Sequence, residues 1–446
     1  MDALLTGPAW RMAEAVRAGT ISPRELVTAQ IARVEALNPA INAIVVPRFE
    51  QALEEAARSE RAPDAPLRGV PFTVKECIPV AGLPCTAGSE RFADVRPEAD
   101  AAPVARLREA GAILIGKTNL SELAAHPDSV NPRYGATRNP HAPDRTAGGS
   151  SGGEAAALAL GLSALGLGSD LGGSVRWPAH ACGVVGLRAS RGAVPSAEHV
   201  PPPVTPGFAR WGAIGPLSRC VHDAGLALTL LARPWPERDP DALLGLRFAP
   251  EGPPPLVAWF GTDGLQPVAG AIRAAVRRAA GALAAAGHEV VEAAPPDAAA
   301  IRAAFDAVLE AEAAALTGGA PLPPGYLGAW TQLRALERRA HAWMAEHPIV
   351  VAPVAPVPAF PLGGAFDDVR ADGEPLRPGG KLTICTWANV SGLPSIALPA
   401  GLDADGLPVG VQLIGRIGHD RELLAVAATV EAALGPRPVP DEAALR

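Results

Sequence analysis

Two glycine- and serine-rich clusters, GGSSGG at 148–153 and GSDLGGS at 168–174, enclose a short stretch of small apolar residues. Glycine allows tight turns and the close approach of other groups to the backbone. The alanine- and leucine-rich stretch between the clusters predicts a buried helix at 155–162. The simplest interpretation is a pair of tight turns around that helix. A phosphate cradle and a nucleophile site are the functional alternatives.

The phosphate interpretation fits poorly. A P-loop needs GxxxxGK[ST], and no lysine follows these glycines, while GLGSDLGG does not match the GxGxxG dinucleotide fingerprint. GGSSG at 148–152 does match G-x-S-x-G, the nucleophile elbow of the α/β hydrolases. That elbow requires an acid and a histidine downstream, and none of the later histidines lies in a recognisable setting. The second cluster offers consecutive backbone N–H groups, which suit an oxyanion hole, and it ends in Ser174.

Lysine is rare in this chain, since Lys75, Lys117 and Lys381 are the only lysines among 39 basic residues. Arginine stays protonated in proteins, whereas a buried lysine can lose its proton near neutral pH. Lys75 directly follows a predicted strand at 69–74. A serine nucleophile needs a base, and a neutral Lys75 is the natural candidate to activate Ser174.

Strands alternate with helices along the chain. The segment 22–37 predicts a helix, with Ser22 as N-cap, Pro23 at the first position and Glu25 completing a capping box. Residues 255–293 predict a β-α-β unit, and 395–400 with 408–415 predict a hairpin. This alternation predicts an α/β fold with helices on both faces of a sheet. The stretch 195–207 predicts a surface loop rather than a linker between domains.

The composition excludes several classes of protein. With 48% apolar residues, 19% charged residues and a formal net charge of −7, the chain is a poor candidate for sequence-independent nucleic-acid binding. The N-terminal segment does not have the pattern of a secretory signal, and no uncharged apolar run reaches the roughly 20 residues of a membrane span. Five scattered cysteines without metal-ligand spacing favour free thiols in a reducing cytoplasm, and no metal site.

Several long segments resemble the blocks of the amidase signature family. The family's lysine segment is similar to GVPFTVKECIPVAGLPCTAGS (69–89). Its serine segments are similar to YGATRNPHAPDRTAGGSSGG (134–153) and to the stretch that continues up to 187. Its C-terminal blocks are similar to residues 389–416. The resemblance covers most of the chain and displaces the nucleotide and elbow interpretations. It implies a single amidase domain at 1–446, built on a large mixed β-sheet in an α/β/α arrangement. Within it we expect a signature core at 65–235, a variable substrate-pocket region at 236–346 and C-terminal core elements at 347–435.

The resemblance also implies a Ser–cis-Ser–Lys triad. Ser174 takes the place of the nucleophile, Ser150 that of the proton-relaying serine with a cis peptide bond, and Lys75 that of the base. The implied oxyanion hole consists of the backbone N–H groups of Leu171, Gly172, Gly173 and Ser174. The implied supporting residues are Ser151, Asp170 and Arg176. No metal or organic cofactor is implied.

Some positions depart from the family pattern without removing a triad residue. Lys75 is followed by Glu76 and Cys77, where Asp-Asn is usual, and GLRASRGAVP (186–195) is also divergent. For Cys77 a packing role is favoured over a catalytic one, because a complete serine route exists. For Arg176, an ion pair with Asp170 is favoured over a contact with a substrate carboxylate.

The expected function is hydrolysis of a small-molecule carboxamide through a Ser174 acyl-enzyme. We expect the protein to work in the cytoplasm, without nucleic-acid or membrane partners. A homodimer is one oligomeric state that the sequence leaves open. Three alternatives remain open: the glutamine amidase component of a tRNA-dependent amidotransferase, an esterase or carbamate hydrolase using the same triad, and a scaffold protein without chemistry. The substrate cannot be read from the sequence. Six aromatic residues fit either a pocket wall or the core: Trp177, Phe305, Tyr326, Trp330, Trp343 and Trp387.

Overall fold

A computed structural model describes residues 1–59, 64–202, 205–233, 253–318, 321–377 and 382–445. Eleven strands of the described chain form one mixed sheet. They are β1 (Ile44–Pro47), β2 (Pro71–Lys75), β3 (Ile113–Thr118), β4 (Leu165–Asp170), β5 (Val185–Arg188), β6 (Ala213–Ser218), β7 (Val257–Trp259), β8 (Val290–Glu292), β9 (Ile349–Pro353), β10 (Ser395–Leu402) and β11 (Pro408–Gly415). Two short ribbons lie apart from this sheet, one pairing Val130–Asn131 with Gly135–Ala136 and the other pairing Arg370–Ala371 with Glu374–Pro375.

The order of strands across the sheet is β1-β3-β2-β4-β6-β5-β10-β11-β9-β7-β8. The β3-β2-β4 and β9-β7-β8 groups are parallel, whereas β6, β5, β10 and β11 join them through antiparallel pairs. The expectation of a large mixed sheet is therefore confirmed. The parallel β3-β2-β4 group brings the carboxyl end of β2 beside that of β4, because parallel strands end at the same edge.

Helices cover both faces of the sheet. They are α1 (Asp2–Leu5), α2 (Ala9–Arg17), α3 (Pro23–Ile41), α4 (Phe49–Ser59), α5 (Ala102–Glu109), α6 (Gly152–Ala159), α7 (Arg176–Cys182), α8 (Pro206–Trp211), α9 (Val221–Leu231), α10 (Gly270–Ala285), α11 (Ala298–Gly318), α12 (Tyr326–Glu346), α13 (Thr383–Ser391) and α14 (Asp420–Leu434). In β9, Ile349 and Val351 join one apolar core, while Val350 and Ala352 join another. Since successive side chains of a strand point to opposite faces, the two cores lie on opposite sides of the sheet.

Most predicted elements are present, with boundaries that shift by a few residues. The capping box of α3 forms as predicted, with Ser22 Oγ accepting from the Glu25 backbone N–H at 3.1 Å and Glu25 Oε2 accepting from the Ser22 backbone N–H at 2.9 Å. The 255–293 unit forms β7-α10-β8 with parallel strands. The buried helix between the glycine-serine clusters begins earlier than predicted, at Gly152.

Two expectations about regions need adjustment. The variable region at 236–346 does not only surround a pocket, because its strands β7 and β8 form one edge of the sheet; residues 236–252 lie outside the described residues. The sequence predicts a surface loop at 195–207, and most of its described residues are exposed or partly exposed, but some of them also border an internal space. His199 and Pro201 line a cleft beside β4, while residues 203–204 fall outside the description.

Candidate active site

Lys75 ends β2 and is fully buried. Its Nζ donates hydrogen bonds to Ser150 Oγ at 2.6 Å and to Ser169 Oγ at 3.0 Å. Burial lowers the pKa of Lys75 from its ordinary value, although the negative charges of Cys77, Asp170 and Glu154 oppose the shift. A depressed pKa favours the neutral amine, the form that can accept a proton.

Ser150 lies in the turn that leads into α6, and its peptide bond to Gly149 is cis. Ser129 holds this turn from outside: its Oγ donates to the Gly148 carbonyl and accepts from the Gly152 backbone N–H, both at 2.9 Å. A Cβ at position 149 would lie 1.9 Å from the carbonyl oxygen of Asp128. Only glycine fits at position 149 unless the backbone moves.

Ser174 lies just before α7 and is partly exposed. It lines a small cavity of about 60 Å³ together with Ser150, Ser169, Asp170 and Leu171. We call this space the cleft. No group among the described residues hydrogen-bonds to the Ser174 hydroxyl, whereas its carbonyl accepts from the Ser151 backbone N–H at 3.1 Å. The Ser174 hydroxyl thus faces the cleft with its hydrogen-bonding capacity unused.

The proposed oxyanion donors differ from the expectation at one position. The Gly173 backbone N–H donates to Asp170 Oδ1 at 2.8 Å, so it is already engaged. The backbone N–H groups of Leu171, Gly172 and Ser174 have no hydrogen-bond acceptor among the described residues. The carboxylate of Asp170 also accepts from the Val175 backbone N–H at 3.1 Å. Asp170 therefore fixes the shape of the loop that would present the other three donors.

Asp170 and Arg176 form a fully buried ion pair. Arg176 Nε lies 3.0 Å from Asp170 Oδ2 and Arg176 Nη2 lies 3.0 Å from Asp170 Oδ1. Burial alone would raise the pKa of Asp170, but Arg176 holds it well below its usual range. The remaining guanidinium contacts reach Gln412 Oε1 and Asn389 Oδ1. The guanidinium is enclosed by protein groups, which favours the ion-pair interpretation over a contact with substrate.

The Ser151 hydroxyl forms hydrogen bonds with the neighbouring strand, β4. It donates to the Ser169 carbonyl at 3.3 Å and accepts from the Ser169 backbone N–H at 3.4 Å. These two contacts tie the first glycine-serine cluster to β4, which carries the second.

Sequence reasoning missed a second branch of polar contacts on Lys75. Ser169 Oγ lies 3.0 Å from His199 Nε2, and Cys77 Sγ lies 3.1 Å from the same nitrogen. His199 Nδ1 lies 3.3 Å from the Pro201 carbonyl oxygen. Burial would raise the pKa of the Cys77 thiol, but His199 and Lys75 lower it below its ordinary value. Cys77 is thus a buried thiol in contact with His199 and close to the charge of Lys75.

Sequence reasoning also missed Glu154. It is fully buried on α6, and its two carboxylate oxygens accept from Thr73 Oγ1 at 2.7 Å and Thr118 Oγ1 at 2.8 Å. Burial raises the pKa of Glu154 to about 8. A Cβ at position 166 would lie 2.1 Å from Glu154 Oε2, so Gly166 of β4 provides the space for this carboxyl group. The one feature of the sequence that points to Glu154 is its position as a single acidic residue directly after GGSSGG.

The aromatic residues divide between core and cavity. Trp177 and Trp387 are fully buried; Trp177 packs against Phe360 and Phe366. Trp387 contacts Trp343 edge to face. Tyr326 and Trp330 line a second, larger cavity, and Phe305 packs on Trp211 beside it.

Two negative results apply to the described residues only. No group of three or more His, Cys, Asp or Glu side chains there could hold a metal ion. None of the helices in the described ranges is long and apolar enough to cross a membrane.

Comparisons with known proteins identify the family of the chain. A family model described as Amidase matches residues 25–320 and 323–424. An indoleacetamide hydrolase of Bradyrhizobium diazoefficiens is 35% identical over 95% of this chain and 86% of its own length. One component of the glutamyl-tRNA(Gln) amidotransferase of Nitratidesulfovibrio vulgaris is 34% identical over 98% of both chains. The solved structure of 6-aminohexanoate cyclic dimer hydrolase with its substrate has a TM-score of 0.82, 30% identity and 98% coverage of both chains.

Proposed function

The chain belongs to the amidase family of amide-hydrolysing enzymes, and on that premise we propose that it cleaves the C–N bond of a small-molecule carboxamide through an acyl-enzyme on Ser174. In this proposal Ser150 relays a proton, Lys75 is the base and the chain works as one domain. The observation that carries the proposal is the 2.6 Å contact between buried Lys75 Nζ and Ser150 Oγ, beside a Ser174 hydroxyl that faces the same cleft.

The proposed proton route runs from Ser174 through Ser150 to Lys75. Ser174 Oγ attacks the amide carbonyl carbon, its proton passes to Ser150 Oγ, and the proton of Ser150 passes to neutral Lys75 Nζ. The carbonyl oxygen becomes an oxyanion, which the backbone N–H groups of Leu171, Gly172 and Ser174 stabilise. As the C–N bond breaks, Lys75 returns a proton through Ser150 to the leaving amine. The products of this half-reaction are a free amine and an ester on Ser174.

Water completes the reaction by the reverse proton path. Lys75, neutral again, accepts a proton from water through Ser150 as the oxygen of water attacks the acyl carbon. The second tetrahedral intermediate collapses, the carboxylic acid leaves and Ser174 Oγ regains its proton. Every step uses side chains and backbone groups of the cleft, so the proposal needs no cofactor.

A second candidate follows from the similarity to the amidotransferase component, whose reaction on this chain would be release of ammonia from glutamine. A panel of primary amides, anilides, N-acyl amino acids and glutamine, with matched esters, distinguishes the candidates by amine, ammonia or acid release. We expect Ser174→Ala and Lys75→Ala to abolish amide turnover.

Ser163→Ala is the control, because the buried Ser163 hydroxyl donates to the Leu165 carbonyl at 2.7 Å and does not line the cleft. Retained amide turnover in Ser174→Ala would contradict the mechanism. Exclusive turnover of glutamine or of esters would replace the proposed substrate class.

A further inference from the structure

A second cavity, of about 960 Å³, borders the cleft. The two spaces share four wall residues, which are Ser196, Gly212, Ala213 and Ile214. The cleft itself, at about 60 Å³, is too small for more than the reacting amide. We call the larger space the side cavity, and the four shared residues place it next to the cleft.

Three arginines line the side cavity and share a single carboxylate. Glu337 Oε1 lies 2.7 Å from Arg191 Nη2 and 3.0 Å from Arg210 Nη2. Glu337 Oε2 lies 2.7 Å from Arg334 Nη1 and 3.0 Å from Arg210 Nη2. Glu337 is the only carboxylate of the described chain within 4.0 Å of these guanidinium groups. The cluster carries three positive charges against one negative charge.

The other titratable groups nearby do not cancel this excess. His341 Nε2 donates to the Ser391 carbonyl at 2.9 Å; burial lowers the pKa of His341, with Arg191 and Arg210 adding to the shift and Glu337 opposing it. Glu312 instead accepts from Tyr326 Oη at 2.7 Å and from the Gly207 backbone N–H. Asp420 accepts from the Ser190 backbone N–H at 2.8 Å.

The arginines repel one another. Burial and the charge of Arg191 lower the pKa of Arg210 from its ordinary value, while Glu337 only partly opposes this. The side chains of Arg210 and Arg334 remain 29% and 51% exposed, so their unused N–H donors can reach a ligand. An incoming anion would relieve the repulsion and accept from donors that Glu337 already holds in place.

Apart from Ser190 and Ser196, the rest of the wall is largely apolar or aromatic. Trp330 stacks on Trp211 with ring centroids 5.0 Å apart, and Tyr326 and Leu327 lie beside it. Such a surface suits a carbon chain or ring that joins the amide to an anionic end. A guanidinium presents a planar fork of donors whose geometry matches a carboxylate.

We propose that the side cavity binds a carboxylate group of the substrate through Arg191, Arg210 and Arg334, so that the enzyme prefers amides whose acyl part ends in a carboxylate. This inference rests on the proposed function of the cleft. Arg176, the arginine that sequence reasoning considered for such a contact, is enclosed around Asp170 and is not needed for it.

The test compares straight-chain dicarboxylic acid monoamides of increasing length with their monomethyl esters, which differ only in the charge at the far end. We expect kcat/KM to favour the acid of the best-fitting length by about tenfold, mainly through KM. In Arg334→Gln and Arg210→Gln this acid-to-ester ratio should fall to near one. Arg339→Gln is the matched control, because Arg339 also lies on α12 but pairs with Asp297 at 2.9 Å, and it should keep the ratio.

Binding to Ser174→Ala, measured by titration calorimetry with the same acids and esters, separates the two proposals. Equal affinity for acid and ester, or a preference that survives both Arg334→Gln and Arg210→Gln, overturns the arginine site even if amide hydrolysis is confirmed. A preference for the acid in binding that both substitutions remove supports the site even if no amide in the series is turned over.

Discussion

Cys77 Sγ lies 3.1 Å from His199 Nε2, and the same nitrogen lies 3.0 Å from Ser169 Oγ, which contacts Lys75 Nζ. The base of the proposed mechanism therefore has two polar neighbours, Ser150 and Ser169, and both line the cleft. Negative charge on Cys77 raises the pKa of Lys75 against the lowering effect of burial. The fraction of neutral Lys75 at a given pH thus depends on a cysteine that lies outside the triad.

Replacing Cys77 by serine exchanges a thiol whose pKa is lowered for a hydroxyl that does not ionise in the working pH range. We expect the pKa of Lys75 to fall further in Cys77→Ser, because the opposing charge is lost. Since only neutral Lys75 accepts a proton, the acidic limb of the pH profile of kcat/KM should move to lower pH. Cys220→Ser is the control, because Cys220 is partly exposed and precedes the first turn of α9. It should not shift the acidic limb of the pH profile. An acidic limb that is the same in Cys77→Ser and wild type would contradict this coupling.

Glu154 predicts a pH dependence of stability. Its pKa rises from 4.5 to about 8 on folding, so the folded state binds its proton more tightly than the unfolded state. The contribution is fully present below about pH 4.5 and is lost as pH rises toward 8, at up to about 1.4 kcal/mol per pH unit. Glu154→Gln keeps a neutral hydrogen-bonding group and should lose this slope. Urea unfolding of both proteins across this range measures the difference, and parallel curves would show that Glu154 is ionised when folded.

Substitution by alanine should have opposite effects on stability at Gly149 and at Gly281. In Gly149→Ala the new Cβ meets the Asp128 carbonyl oxygen, so we expect a loss of at least about 2 kcal/mol in the free energy of unfolding and of most activity. In Gly281→Ala, on α10, nothing lies within 4 Å of the new Cβ, and helix propensity should stabilise the protein by up to about 1 kcal/mol. Denaturant unfolding measures both; a Gly149→Ala protein as stable as wild type would contradict the described turn.

The Asp170–Arg176 pair predicts a structural defect rather than a change in substrate preference. Arg176→Gln leaves the Asp170 carboxylate buried without its cation, which should cost about 3–5 kcal/mol of stability. The folded fraction should show reduced kcat, because Asp170 also holds the Gly173 and Val175 backbone N–H groups. KM values for charged and neutral amides should change by the same factor. A selective loss of affinity for carboxylate-bearing amides would instead place Arg176 in the substrate site.

Much of the fold could be predicted because local signals and global topology agree. The capping box at Ser22, the strand leading into Lys75 and the hairpin after α13 each depend on nearby residues. The sequence could not show that β1 and β3 run antiparallel or that β7 and β8 extend the sheet, because pairing between distant strands is set by packing of the whole chain.

The residues around the triad were harder to predict than the triad itself. Lys75, Ser150 and Ser174 lie in motifs, and the structure brings Lys75 and Ser150 into direct contact in the cleft that Ser174 also lines. His199 reaches the site from a proline-rich segment without a local signal, and Ser169 stands out in the sequence only as part of a glycine-rich turn. The engaged Gly173 N–H depends on the orientation of Asp170, which no spacing rule gives.

The most direct test of the central claim is to identify the residue that carries the acyl group. A slowly deacylating anilide or a fluorophosphonate is reacted with the protein, and intact-mass measurement followed by peptide mapping locates the adduct. We predict one adduct per chain on Ser174, formed far more slowly in Lys75→Ala and absent in Ser174→Ala. An adduct on Cys77 or Ser150, or hydrolysis that continues in Ser174→Ala, would contradict the proposed mechanism.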